Sequence, residues 1–174
     1  MHMNTNPTDL KHYKNSEWSF AIDIPKRWNS FPPVSTNSPY EVIRFASRED
    51  GNHLLIIFRE PHDPKQTLKE VADRVEKQFL ASKGFGNFAA AETTIGSRAA
   101  LMLDFDKPQT DANLPLLLHG DQYVVRPGHL WSCRHYFVTE GTLRYTLGFG
   151  TTNKAGMFEL YDRVAKSFEI LIGP

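Results

Sequence analysis

The sequence predicts an α+β fold built around a mainly antiparallel sheet. Short apolar–polar alternations bounded by turn residues predict strands, Gly-centred breaks between several of them predict hairpins, and two longer stretches switch to helical spacing. At 174 residues the chain has the length of one domain. With 40% hydrophobic and 12% aromatic residues it carries enough apolar material for a sizeable core.

The first strand comes from "EWSFAIDIPKRW": Trp18, Phe20, Ile22 and Ile24 alternate with Ser19, Ala21 and Asp23, Pro25 closes the run, and Trp28 packs back over it. "NSFPPVSTNSP", from Asn29, has the composition of a loop. "YEVIRFAS" and "HLLIIFRE" flank "REDGN", where Asp50-Gly51 predicts the turn of an antiparallel hairpin. From Thr67 the period changes. Leu68, Val71, Ala72, Val75 and Phe79 form one helical stripe, Thr67 and Glu70 a capping box, and Gly84 the stop.

"FAAAETTIGSRAALMLDFD" predicts two extended segments around Gly96, the second apolar on both faces from Ala99 to Phe105 and therefore covered on both sides. Lys107 to Leu130 shows no sustained period and contains three Pro, which predicts a long insertion. "WSCRHYFVTEGTLRYTLGFGT" then gives a hairpin turning at Glu140-Gly141. "KAGMFELYDRVAKSF" supplies a second amphipathic helix through Met157, Leu160, Tyr161, Val164 and Phe168, and "FEILIG" a last short strand. Residues 1–16 are expected to be a flexible polar segment, with "MHM" resembling a cloning scar, and 17–174 a single domain with the 107–130 insertion.

Twenty Lys and Arg balance twenty Asp and Glu, which removes the electrostatic case for a nucleic-acid or anionic-membrane partner. Cys133 is the one cysteine, so no intrachain disulfide forms. No apolar run approaches the roughly 18 to 20 residues of a membrane helix, and no signal peptide opens the chain. The expected location is cytoplasmic, changing to exported or lipid-anchored if an upstream segment has been removed.

The order of motifs resembles the PsbP-like proteins. The resemblance rests on "FAIDIPKRW", a hairpin, a helix ending "KGFGNF", "IGSRAALMLDFD", "LWSCRHYF…GTLRYTLGFGT" and a helix ending "SFEIL", and spans about Trp18 to Ile170. That family includes extrinsic subunits of photosystem II, bacterial lipoproteins and small chaperone-like domains, and its fold is shared with a Ran-binding nuclear import factor. The resemblance implies an α/β/α sandwich around a twisted antiparallel sheet, and a role in binding or assembly without catalysis. It specifies fold better than function. Nothing in these residues points to a chloroplast or a thylakoid.

With Glu140 and Gly141 as the turn, Phe137 falls opposite Arg144, His135 opposite Thr146, Cys133 opposite Gly148 and Trp131 opposite Gly150. One face of the hairpin then carries Trp131, Cys133, His135, Phe137 and Arg144, with glycines leaving space above it. The other carries core residues, and Arg134 among them needs a carboxylate partner or an edge position. His135 lies about 7 Å along the strand from Cys133, too far to activate a thiolate. His119, Asp121, His129 and His135, with Cys133, are the candidate metal ligands, yet their spacing matches no zinc pattern. Asp104 and Asp106 are explained as well by capping and turn formation as by a cation. "GFGNFA" and "GFGTTN" lack the third glycine of a dinucleotide fingerprint, and no nucleophile-elbow, Walker or kinase motif occurs.

The sequence therefore predicts a noncatalytic protein-binding or assembly module without a cofactor. Its partner contact is assigned to Leu114, Leu116, Leu117 and Leu118 and the adjacent Trp131 edge, because apolar residues in a polar segment mark an interface. The alternative is a small-molecule or metal-binding protein using a pocket over Cys133, His135 and Arg144, with Arg144 forking onto an anion.

Overall fold

Local sequence chemistry accounts for most elements of the computed structural model, which describes residues 9–34, 38–47, 53–108, 130–152 and 154–171. Two assignments change near the N-terminus. Leu10–Asn15, expected within the flexible segment, forms strand β1, which pairs along β2 (Phe20–Pro25) from Leu10↔Pro25 to Asn15↔Phe20. Its two apolar residues make the difference: Leu10 and Tyr13 pack against the core, and the Tyr13 ring meets Phe45 edge-on at 5.0 Å. Trp28–Phe31, assigned beyond Trp28 to a loop, forms β3. Trp28 and Phe31 anchor this short strand by entering the cores on opposite faces of the sheet.

Strands β4 (Glu41–Ser47) and β5 (His53–Pro61) pair antiparallel with Ile43↔Ile57 and Phe45↔Leu55. The Asp50-Gly51 turn itself lies outside the described residues. Helix α1 (Leu68–Leu80) begins with the expected capping box: Thr67 Oγ1 accepts from the Glu70 amide, and the Glu70 carboxylate accepts from the Thr67 amide. Val71 and Ala72 are its buried residues, and Gly84 follows in the left-handed region at φ 90°.

Strand β6 (Gly86–Ile95) turns through Gly96 into β7 (Arg98–Pro108). β8 (Leu130–Glu140) pairs with β7 from Pro108↔Leu130 to Ala100↔Val138. Lys107, Pro108 and Leu130 thus belong to strands, and the rest of the expected insertion, 109–129, lies outside the described residues. β9 (Leu143–Thr151) completes the hairpin, followed by α2 (Lys154–Lys166) and β10 (Glu169–Ile170).

The β8–β9 register differs from expectation by two residues. Glu140 pairs with Leu143, which leaves Gly141 and Thr142 as the turn. Tight hairpin turns demand positive φ at their first central position, and Gly141 supplies it at 58°. A shift of two preserves the faces but changes the partners: His135 lies opposite Gly148 and Cys133 opposite Gly150.

The strands form a seven-stranded sheet of order β3-β4-β5-β9-β8-β7-β6 and a three-stranded sheet β1-β2-β10, antiparallel throughout. One face of the large sheet is covered by α2 and the small sheet, and its core includes Phe20, Phe45, Tyr136, Leu147, Phe149, Tyr161 and Phe168. The other face carries α1 over Leu101, Leu103, Phe105, Cys133 and Phe137. Phe149 and Tyr161 stack at 4.6 Å, Tyr136 meets Phe149 edge-on, and the Tyr161 hydroxyl donates to the Gly150 carbonyl. That cluster fastens α2 to the middle of the sheet.

Phe149→Ala is expected to cost about 3–5 kcal/mol by opening a cavity at this junction, and Thr67→Ala about 1 kcal/mol by removing the α1 cap. Urea unfolding monitored by circular dichroism checks both, with the dependence on denaturant unchanged for the cap variant.

Candidate functional site

Seven strands spaced at ~4.8 Å make a sheet ~29 Å wide, whereas one helix covers ~10 Å. α1 packs on β6, β7 and β8, and no other helix among the described residues packs on the β4-β5-β9 half of that face. A cleft of about 550 Å³ occupies that half. Phe79 and Phe105 wall one side, Leu54, Ile56 and Phe58 the other, and Cys133, His135, Gly148 and Gly150 lie along its floor.

The two glycines explain the depth of the floor. A Cβ at Gly148 would come 3.1 Å from His135 Nε2, and one at Gly150 3.2 Å from Trp131 Cε3. Both are below ordinary contact, so the rings of β8 lean over bare backbone of β9. Trp131, Cys133, His135 and Phe137 share this face as the hairpin parity predicts.

His135 sits in an aromatic frame, with Phe105, Phe79 and Phe137 rings at 4.9, 6.3 and 6.4 Å. Burial, reinforced by the Lys107 ammonium, lowers its pKa to about 3, so it is neutral near pH 7. The expected Thr146 contact does not form, because Thr146 pairs with Phe137. Burial also raises the Cys133 thiol to about 11, and its Sγ lies 3.9 Å from the Trp131 carbonyl. The thiol is protonated at neutral pH, and the neighbouring imidazole does not activate it.

Arg144 lies on the same face but outside the cleft lining. Its Nη2 donates to Glu60 at 2.7 Å and its Nη1 to His62 Nδ1 at 3.2 Å. His62 accepts there, so its other ring nitrogen carries the proton, and burial together with the Arg144 charge lowers its pKa. Arg134, on the opposite face, has the carboxylate partners it needs: a forked pair to Asp104 at 2.7 and 2.9 Å and a bond to Asp162 at 2.9 Å. Its guanidinium also lies over Phe158 at 4.4 Å, and Tyr136 donates to Asp162. Asp106 accepts from Asn87. These pairings occupy the aspartates considered for a cation.

Among the described residues no three of His, Cys, Asp and Glu come together as a cation site. His119, Asp121 and His129 lie outside those residues, as do Leu114, Leu116, Leu117 and Leu118. Sequence reasoning missed the contribution of β4 and β5. The signal was present in "HLLIIF", where Leu54, Ile56 and Phe58 form a second apolar stripe beside Leu55 and Ile57.

No family model matches the sequence, and no curated protein matches it. Solved structures do. Cyanobacterial PsbP from Synechocystis superposes with a TM-score of 0.65 at 15% identity, over 98% of this chain and 97% of that one. The chain has the PsbP-like fold. The Ran-binding protein Mog1p of Saccharomyces cerevisiae gives a TM-score of 0.61 at 9% identity, covering 94% of this chain and 96% of its own. LpqN of Mycobacterium tuberculosis, described as involved in cell envelope biogenesis, gives 0.59 at 12% identity over 94% and 92%. Among the described residues of this PsbP-like fold, no helix is long and apolar enough to cross a membrane.

Because His135 resists protonation in the folded state and accepts it near 6.5 when unfolded, acid favours the unfolded chain. Stability from this group is full above about pH 6.5 and falls as pH drops toward about 3. His135→Leu is expected to lose less stability than the parent protein between about pH 7 and about pH 4.5, measured by urea midpoints at the two values.

Proposed function

We propose that this PsbP-like domain is a noncatalytic binding module that receives an apolar element of a partner protein in the cleft over Cys133 and His135. One observation carries the reading: among the described residues, a cleft of about 550 Å³ with apolar walls from Leu54, Ile56, Phe58, Phe79 and Phe105 lies beside α1 over β5, β9 and β8. Contiguous apolar surface of that kind is retained where a partner covers it. The protonated Cys133 thiol and the engaged Arg144 guanidinium support binding over chemistry. The Ran-binding description of a structural neighbour supports a protein partner in kind, without naming one.

A photo-crosslinking phenylalanine analogue placed at Phe58 in the cleft is expected to give a covalent adduct with one discrete protein in cells. The same analogue at exposed Asp73, on the outer side of α1, is expected to give none. Ile56→Glu should abolish the adduct while leaving the melting temperature nearly unchanged. Equal labelling from both positions, or none from Phe58, would sink the proposal.

A second reading has its own observation. Trp131 Nε1 and Thr146 Oγ1, both in the cleft lining, are buried without hydrogen-bond partners. Orphaned groups of this kind cost about 1–3 kcal/mol each, which an acceptor-bearing ligand would recover. Lys107 lies in the same lining and is cross-strand partner to Trp131, giving that end of the cleft a positive charge. A panel of apolar carboxylates tests this reading by thermal shift. Saturation at 100 times the dissociation constant stabilises by about 2.7 kcal/mol, a shift of several degrees that Lys107→Met should diminish. A flat response across the panel counts against a small ligand and leaves the protein partner.

A further inference from the structure

We propose that β6 is a pairing edge through which two copies of this chain join their sheets. The inference is independent of the cleft. β6 is the last strand of the seven-stranded sheet, and among the described residues it hydrogen-bonds on one side only, to β7. It runs ten residues, Gly86–Ile95, whereas the opposite edge, β3, runs four. Ala89, Ala90, Ala91 and Glu92 are all exposed, although consecutive residues point to opposite faces. Side chains on both faces of this segment are therefore exposed, and among the described residues no strand pairs with its outer edge.

An edge of this length is a template for another strand, and proteins that stay monomeric blunt theirs with Lys, Pro, bulges or covering loops. β6 contains no Lys, Arg or Pro, and Glu92 is its one charge. The register with β7 is irregular only between Gly86 and Ala89, where Asn87 takes a φ of 57°. From Ala89↔Asp104 to Ile95↔Arg98 the pairing is unbroken, so the outward backbone groups of that stretch are regularly spaced for a partner.

The side chains argue for a second copy as that partner. A two-fold axis perpendicular to the sheet keeps each residue on its own face, so the antiparallel pairing must centre on a residue and match residues of equal parity. Centred on Ala91, it sets Ala91 beside its copy, Ala90 across from Glu92 and Ala89 across from Thr93. Nothing bulky or like-charged meets at the seam. Centred on Glu92 it would oppose two carboxylates, which is unfavourable for directly facing residues. The Ala91 register produces one continuous sheet of two seven-stranded halves.

Multi-angle light scattering on the full chain across a concentration series tests this. The expected mass is twice that of one chain, falling toward one chain on dilution. Ala91→Lys, at an exposed position, should reduce it to one chain with an unchanged melting curve. Mixing Ala91→Lys with Ala91→Glu should restore the doubled mass, because the register places the two substitutions face to face. A single-chain mass at the highest soluble concentration would overturn the proposal. So would a doubled mass that Ala91→Lys leaves intact, or a failure of the mixed variants to reassociate.

Discussion

A seven-stranded sheet that is apolar on both faces must be covered on both, and the described elements of this chain cover the two faces unequally. α2, β1, β2 and β10 all pack on one face, where Phe20, Phe149, Tyr161 and Phe168 build the larger core. α1 packs on the other, over the β6-β7-β8 side. The remaining architecture follows from that imbalance. The fully covered face is where aromatic stacking and the Tyr161 and Tyr145 hydroxyl bonds to backbone carbonyls fasten the layers together. The half-covered face is where a cleft remains.

Apart from Lys107 at one end, the charges around that cleft are held in pairs. Arg44 and Glu41 are buried together at its border, with the Glu41 carboxylate also accepting from the Val34 amide. Arg144 is held by Glu60 and His62, and Arg134 by Asp104 and Asp162 on the other face. Buried pairs of this sort add little net stability, since desolvation offsets attraction, but breaking one leaves an uncompensated charge. They constrain which side chains approach one another. The cleft floor is left with a protonated thiol, a neutral imidazole and glycine backbone, a surface suited to contact and poorly suited to proton transfer or nucleophilic attack.

The chain length and hydrophobic composition were compatible with one domain, and several elements were legible residue by residue. The Thr67 to Glu70 capping box, the Leu68 to Phe79 stripe and the alternation of β8 and β9 are local patterns, and each appears where its pattern lies. The faces of the central hairpin were legible for the same reason: parity survives a register error of two residues. The register itself was not, because two turn placements differ by a single position and the demand of Gly141 for the first central site decides between them. β1 and β3 were lost to composition, since Leu10, Tyr13, Trp28 and Phe31 are too few for a periodic signal and gain their meaning from the cores they enter.

By itself, then, the sequence determined the alternations, the caps, the turn-forming glycines and the face on which Cys133 and His135 lie, all properties of residues a few positions apart. Tertiary structure alone decided that β5 lies beside β9, that α1 is set over β6 to β8, and that Arg144 directs Nη2 to Glu60 and Nη1 to His62. The reason is physical. Periodicity records which side of a strand or helix is apolar, whereas a cleft arises from the mismatch between the width of a sheet and the width of what covers it. That mismatch exists only once strands far apart in the chain have become neighbours.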